Sequence, residues 1–228
     1  MNGKVKVYTK LDPKTDLLDG DSVRKRVQGS LSRLKIDRLE GLFLHREDCV
    51  MFWNKGVGQI LRGLVKEGHV GSIGVSFYSP SKAVAALDID GIDLFQVPGS
   101  ILDQRFEAVG VFRKAQEFHK NVFVRSVFLQ GLLLMPLERV PAAMKYALPY
   151  LERLEQMAVD MKLSRQELSL RYVAQRWPDA FVLFGAEGRA QVAANVQAFS
   201  SKAGLKIDEN IFSTVPENIL NPVLWPKL

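Results

Sequence analysis

The feature that most constrains this chain is a repeated pairing of a short apolar run with a stretch of helical periodicity. The runs lie at 5–9, 42–44, 73–76, 94–97, 122–127 and 181–184. They are nearly continuous in apolar residues rather than alternating, as strands buried on both faces of a parallel sheet are. Helical patterns follow at 22–35, 56–67, 80–87, 104–119, 147–162, 164–176 and 188–200. In the first of these Val23, Val27, Leu31 and Leu34 form one apolar stripe. Ser164 with Glu167 reads as a capping box, and Pro80 falls in the first turn of its helix. A longer insert separates 127 from 147. Strands alternating with helices predict an α/β fold, a parallel sheet covered by helices.

No Gly-x-Gly-x-x-Gly follows the first strand, which argues against a dinucleotide fold of the doubly wound kind. A β/α barrel is preferred. A complete TIM barrel has eight units in about 250 residues. Six are read here, and the first strand starts almost at Met1. The tail, with Pro216, Asn218, Asn221, Pro222 and Pro226, reads as a finished end. The expectation is therefore a (β/α)8 barrel lacking roughly its first two units, with 1–228 as one domain and no linker.

Composition narrows the function classes. The chain is 47% hydrophobic and 25% charged, as globular proteins are. Its single cysteine, Cys49, forms no intramolecular disulfide and fits a reducing compartment. Cys49 follows His45 closely, so a Cys/His nucleophile is weighed against a half-buried loop thiol, without any protease-like context. The three histidines and the cysteine show no ligand spacing, so no metal is expected. No signal-peptide core and no apolar run of about 20 residues is present, so a cytoplasmic protein off the membrane is expected. The net charge is +6, with Arg24, Lys25, Arg26, Arg33, Lys35 and Arg38 clustered on one helix. No nucleic-acid motif accompanies them, and they read as a solvated outer face, with no nucleic-acid partner.

Barrel enzymes build their sites at the carboxyl ends of the strands. Side chains alternate along a strand, so an inward Lys10 puts Tyr8 one layer deeper, and an inward His45 does the same for Phe43. Ser76 pairs with Gly74 in this way, and Gln96 with Leu94. Lys10, His45, Ser76 and Gln96 can thus share one barrel mouth. An ammonium, an imidazole, a hydroxyl and an amide there suit polarising a carbonyl and holding a carboxamide. Each alone is equally readable as a snorkelling lysine or a hydrogen-bonded structural residue.

The segments VYTKLD (7–12), SLSRLKIDRLEGLFLHRED (30–48), GLVKEGHVGSIGVSFYSP (63–80), DLFQVPGSILDQR (93–105), VFVRSVFLQGLL (122–133), LSRQELSLRYV (163–173) and GAEGRAQVAANV (185–196) together resemble the aldo/keto reductases of the bacterial type. The resemblance covers nearly the whole chain. It implies a (β/α)8 barrel, an extended NADP(H) and hydride transfer to a small aldehyde or ketone. Of the family's catalytic Asp, Tyr, Lys and His, it matches Lys10 and His45. The aspartate and tyrosine find no match, and Tyr78, Asp12 and Asp48 are the nearest stand-ins. Ser76 and Gln96 would hold the nicotinamide carboxamide, with Phe77 where an asparagine is usual. Arg125 takes the place of a stacking aromatic ring. Ser126 and the loop through Gly131 would meet the pyrophosphate. Gly185, Glu187, Arg189, Gln191 and Asn195 match the last phosphate and adenine loop, with Arg189 placed for a 2′-phosphate and NADPH favoured over NADH. Gln191 and Asn195 read equally as a solvated helix face.

Three functions follow. The first is an NAD(P)H-dependent carbonyl reductase with Lys10 and His45 as its retained catalytic residues. The second is a non-catalytic barrel that binds a dinucleotide or a protein partner. The third is an unrelated barrel with Lys10 as a Schiff-base nucleophile.

Overall fold

A computed structural model of the chain describes residues 5–201, 204–208 and 211–226. Residues 1–4, which were read as leading into the first strand, lie outside the described residues. The strands are β1 (Tyr8–Lys10), β2 (Leu39–Leu44), β3 (Val70–Ser76), β4 (Leu94–Pro98), β5 (Asn121–Arg125) and β6 (Phe181–Val182). They follow one another in a single sheet in chain order. The β1–β2, β2–β3 and β3–β4 pairs are parallel. The helices are α1 (Gly20–Leu34), α2 (Val57–Lys66), α3 (Pro80–Ala85), α4 (Arg105–Ala108), α5 (Val111–Glu117), α6 (Leu148–Asp160), α7 (Arg165–Arg176), α8 (Arg189–Phe199) and α9 (Glu217–Leu220). Neighbouring parallel strands joined through helices are the topology of a (β/α)8 barrel, and six of its strands lie among the described residues. No helix among the described residues is long and apolar enough to cross a membrane.

Boundaries differ from the sequence reading where packing is absent. Strand β1 covers Tyr8–Lys10 and not 5–9, and Val5 is 87% exposed. Lys10 is therefore the last residue of the strand itself. The helix expected over 104–119 is two helices, α4 and α5, with Gly110 at φ 76° before the second. The insert holds three short 3₁₀ segments, two of them opened by Pro136 and Pro141.

Two compact units divide the chain. One runs to Val97 and includes Val109–Phe123; the other is Pro98–Ala108 with Val124 onward. In the first unit, Asp19 caps α1 by accepting from the Asp21 and Ser22 N–H groups, and Val23, Val27 and Leu31 turn into the core. Between the strands Phe43, Leu94 and Phe123 form a buried cluster with Tyr8 against it. Tyr8 and Phe43 lie 5.0 and 5.2 Å from Phe123, centroid to centroid. Two glycines make this layer possible. A Cβ at Gly41 would lie 2.5 Å from Leu94 and 2.7 Å from Tyr8, and one at Gly74 would lie 2.6 Å from Leu94 and 2.7 Å from Phe43.

In the second unit, Ser164 and Glu167 form the expected capping box of α7. Asp103 is buried and held by Arg105 through two bonds of 2.9 Å. Burial costs this pair solvation, and the fork geometry of the guanidinium offsets it.

Candidate active site

Four of the expected site residues belong to the first unit, and the strand register shows how they meet. Lys10 is level with Phe43, which is level with Gly74 and, through it, with Leu94. Ser76 and Gln96 are paired two residues higher. Lys10 is thus one row below them, a drop of about 6.6 Å along a strand. Its four-carbon stem makes up the difference: Lys10 Nζ donates to Ser76 Oγ at 3.1 Å. Ser76 Oγ in turn donates to Gln96 Oε1 at 3.4 Å. Ser76 and Gln96 are buried, Lys10 is half-buried. The lysine is therefore tied by hydrogen bonding to the two residues that the family resemblance sets apart for the carboxamide.

His45, just past β2, is exposed. Its loop is fastened by a residue that the sequence reading passed over. Glu47 Oε2 accepts from the backbone N–H groups of Tyr78 and Ser79 at 2.7 and 2.9 Å, and Glu47 Oε1 pairs with Lys82 Nζ at 2.9 Å. The carboxylate so links the segment after His45 to the turn after Ser76. Burial opposes its ionisation, but the bonds from Lys82, Tyr78 and Ser79 outweigh burial and hold its pKa below the usual glutamate value. An acidic residue after a strand is too common a signal to reveal this role without the fold.

Other expectations change here. Phe77, in the place of a carboxamide-binding asparagine, is fully buried and stacked on Phe95 at 5.2 Å. Alternation along the chain turns it away from the side that carries Ser76, into the core. The Cys/His nucleophile is ruled out chemically: Cys49 is buried, and burial pushes its thiol up to about 12. Tyr8 is also a poor proton donor. Burial first, then Glu40, raises its pKa, the opposite of an activated phenol. Among the described residues no cluster of His, Cys, Asp or Glu could hold a metal ion. Beside His45 lies a cleft of about 200 Å³, bounded by the loops after β1 and β2.

The remaining expected residues belong to the second unit. Ser126, Gly131, Gly185, Glu187 and Gln191 line one open cleft of about 530 Å³. The loop from β5 enters it with Ser126, Leu129, Gln130 and Gly131 all at positive φ, 62°, 46°, 51° and 89°. Non-glycine residues in that region are strained, and such strain gathers where backbone meets ligand. Gln191 Oε1 accepts from the Glu187 N–H at 2.8 Å and shapes the second wall. Arg125 Nη1 donates to Ser126 Oγ at 3.2 Å. Arg189 opens α8 and is exposed. Asn195 is not on a solvated face: it is 2% exposed and accepts from Gln166 Nε2 at 2.5 Å, so it joins α8 to α7. Phe128, Leu183 and Phe184 add apolar wall that the sequence reading did not assign.

Parallel βα units with polar groups at strand ends define an α/β-barrel enzyme class. The aldo/keto reductase family model matches residues 1–210, and the chain belongs to that family. Among solved structures it is similar to an aldo-keto reductase from Bacillus halodurans in its holo form. The identity is 25% and the TM-score 0.72, over 88% of this chain and 68% of that one. It is similar also to a glycerol dehydrogenase from Gluconobacter oxydans, 20% identical with TM-score 0.70, over 100% of this chain and 76% of that one. A third is an aldo/keto reductase from Klebsiella pneumoniae in complex with NADP and acetate, 20% identical with TM-score 0.68, over 88% and 66%. No curated protein matches.

Proposed function

We propose that this chain works as an NAD(P)H-dependent aldo/keto reductase on a small carbonyl compound. The observation that carries the reading is the chain of hydrogen bonds from Lys10, the last residue of β1, through Ser76, the last of β3, to Gln96 within β4. It sets a cation beside the two groups proposed to hold the nicotinamide amide. The cleft of the second unit, taken by itself, suits phosphate and adenosine groups. Its loop holds four residues at positive φ, and the eleven-residue helix α8 begins at its edge, where the helix dipole favours phosphate. Ser126, Gly131, Gly185 and Gln191 would hold the pyrophosphate and adenosine. Arg189 at the start of α8 favours a 2′-phosphate, hence NADPH.

When bound, such a cofactor supplies a hydride. The chain's own residues would act on the carbonyl oxygen. Lys10 places positive charge near it, and His45 offers a ring N–H to orient it. Oxygen that gains negative charge also needs a proton. The family's tyrosine has no match here, and Tyr78, 39% exposed on the turn held by Glu47, is the nearest phenol to the Ser76 strand end in sequence. A second reading on the same clefts is a dinucleotide-binding protein without turnover.

The test uses the full chain with NADPH and NADH. The expected result is binding of NADPH, and aldehyde-dependent loss of NADPH absorbance that falls about 100-fold in Lys10→Met and in His45→Ala. Binding with no oxidation selects the second reading. Failure to bind either dinucleotide sinks both.

A further inference from the structure

The hydroxyl of Ser76 is engaged both as acceptor and as donor. An ammonium can only donate, so Ser76 Oγ accepts from Lys10 Nζ at 3.1 Å and sends its own proton to Gln96 Oε1 at 3.4 Å. Ser76 is 0% exposed and Gln96 5%, whereas Lys10 is only half-buried. A ligand group that is to touch Ser76 must therefore displace a neighbour, and Lys10 is the neighbour with surface already open to it. An amide N–H is a donor, as the ammonium is, and both seek the same oxygen.

The two ends of the Lys10–Ser76 bond differ in freedom. Ser76 and Gln96 are level with each other on β3 and β4, and Phe77 stacked on Phe95 packs behind them in the core. Lys10 starts one row lower on β1 and reaches Ser76 through an unbranched stem of four carbons. Rotation within that stem withdraws the ammonium without moving a strand. The bond is charge-assisted, and so stronger than a bond from a neutral amide N–H to the same hydroxyl. A rigid pair of polar groups is thus held by a movable cation.

We propose that Lys10 is a latch on the amide subsite: its ammonium and a ligand carboxamide compete for Ser76 Oγ, and the ammonium is freed toward the carbonyl oxygen when the amide takes its place. The identity of that amide, a nicotinamide, rests on the reductase reading. One donor replaces another, so no proton changes hands. Ser76 is then a positioning residue for Lys10 as well as a contact of the amide, and the two roles alternate. The affinity for the nicotinamide is lowered by the share of chains in which the latch is closed.

The experiment measures binding of NADPH and of 2′-phospho-ADP-ribose, which lacks the nicotinamide, to the full chain by titration calorimetry. Lys10→Met keeps an unbranched side chain and removes the ammonium. It should tighten NADPH about tenfold, as expected if the open state is populated about one-tenth of the time, and leave 2′-phospho-ADP-ribose unchanged. In a Ser76→Ala background the two donors have no oxygen to contest, and Lys10→Met should then change NADPH binding by less than about twofold. Retained binding of 2′-phospho-ADP-ribose shows that each variant is folded. NADPH binding that is unchanged or weakened in Lys10→Met, or the same tenfold gain with Ser76→Ala in place, overturns the latch and leaves the reductase reading standing. No NADPH binding by the native chain or by any variant removes both.

Discussion

Replacing Glu47 should loosen the segment that follows His45, and its cost can be worked from the contacts. The carboxylate accepts two backbone N–H groups and pairs with Lys82. A hydrogen bond to a charged group contributes about 1.5–3 kcal/mol when buried. The lower end applies here, because the Tyr78 and Ser79 N–H groups can turn to water once the carboxylate is gone. Lys82 is 52% exposed, and an exposed ion pair adds about 0.2–1 kcal/mol. Glu47→Ala should therefore cost about 2–4 kcal/mol, and Glu47→Gln, which keeps an acceptor but loses the charge, about half that. The assay is urea unfolding followed by circular dichroism, with amide exchange of Tyr78 and Ser79 as the local readout. The pH dependence supplies the sharper check. The folded pKa of Glu47 is depressed, so its ionic contribution is complete above the ordinary glutamate value of about 4.3 and is lost as pH falls through the lower folded value. The stability gap between the native chain and Glu47→Gln should stay constant from about pH 7 to pH 5 and close below about pH 4. A gap that does not vary with pH, or one under about 0.5 kcal/mol at neutrality, would refute the assignment of the carboxylate as a charged clamp.

Two further outcomes follow from the first unit. Gly74→Ala puts a Cβ 2.6 Å from the Leu94 Cβ and 2.7 Å from the Leu94 carbonyl oxygen, so it should lower stability by about 1–3 kcal/mol in thermal melts; an unchanged melting temperature would mean that β3 and β4 can part without penalty. Cys49, with its thiol pushed up to about 12 by burial, should react with a disulfide reagent at about pH 8 at least 1,000-fold more slowly in the folded chain than in urea. Prompt labelling of native protein would contradict the burial of that loop.

The α/β order was legible because it rests on local signals that the fold does not override. Continuous apolar runs, Pro80 in the first turn of its helix and the Ser164–Glu167 box act within a few residues of themselves. Strand ends were less legible, since they depend on neighbours: residues 5–7 carry strand-forming Val5 and Val7, but pairing in β1 begins only at Tyr8. The site divides along the same line. Alternation puts Lys10, His45, Ser76 and Gln96 on one side of their strands, and it cannot show register. Register sets Lys10 a row below Ser76, so contact there depends on the length of the lysine stem. Phe77 shows the converse. Sequence position gave it an asparagine's place, yet β3 and β4 need an apolar pair behind Ser76 and Gln96, and Phe77 stacks on Phe95 to provide it. The buried pair fixes the backbone on which the two polar side chains stand. Substitution of Phe77 by asparagine would put an amide where no polar partner is evident, so the family's usual residue at this point is not interchangeable with the one this core requires.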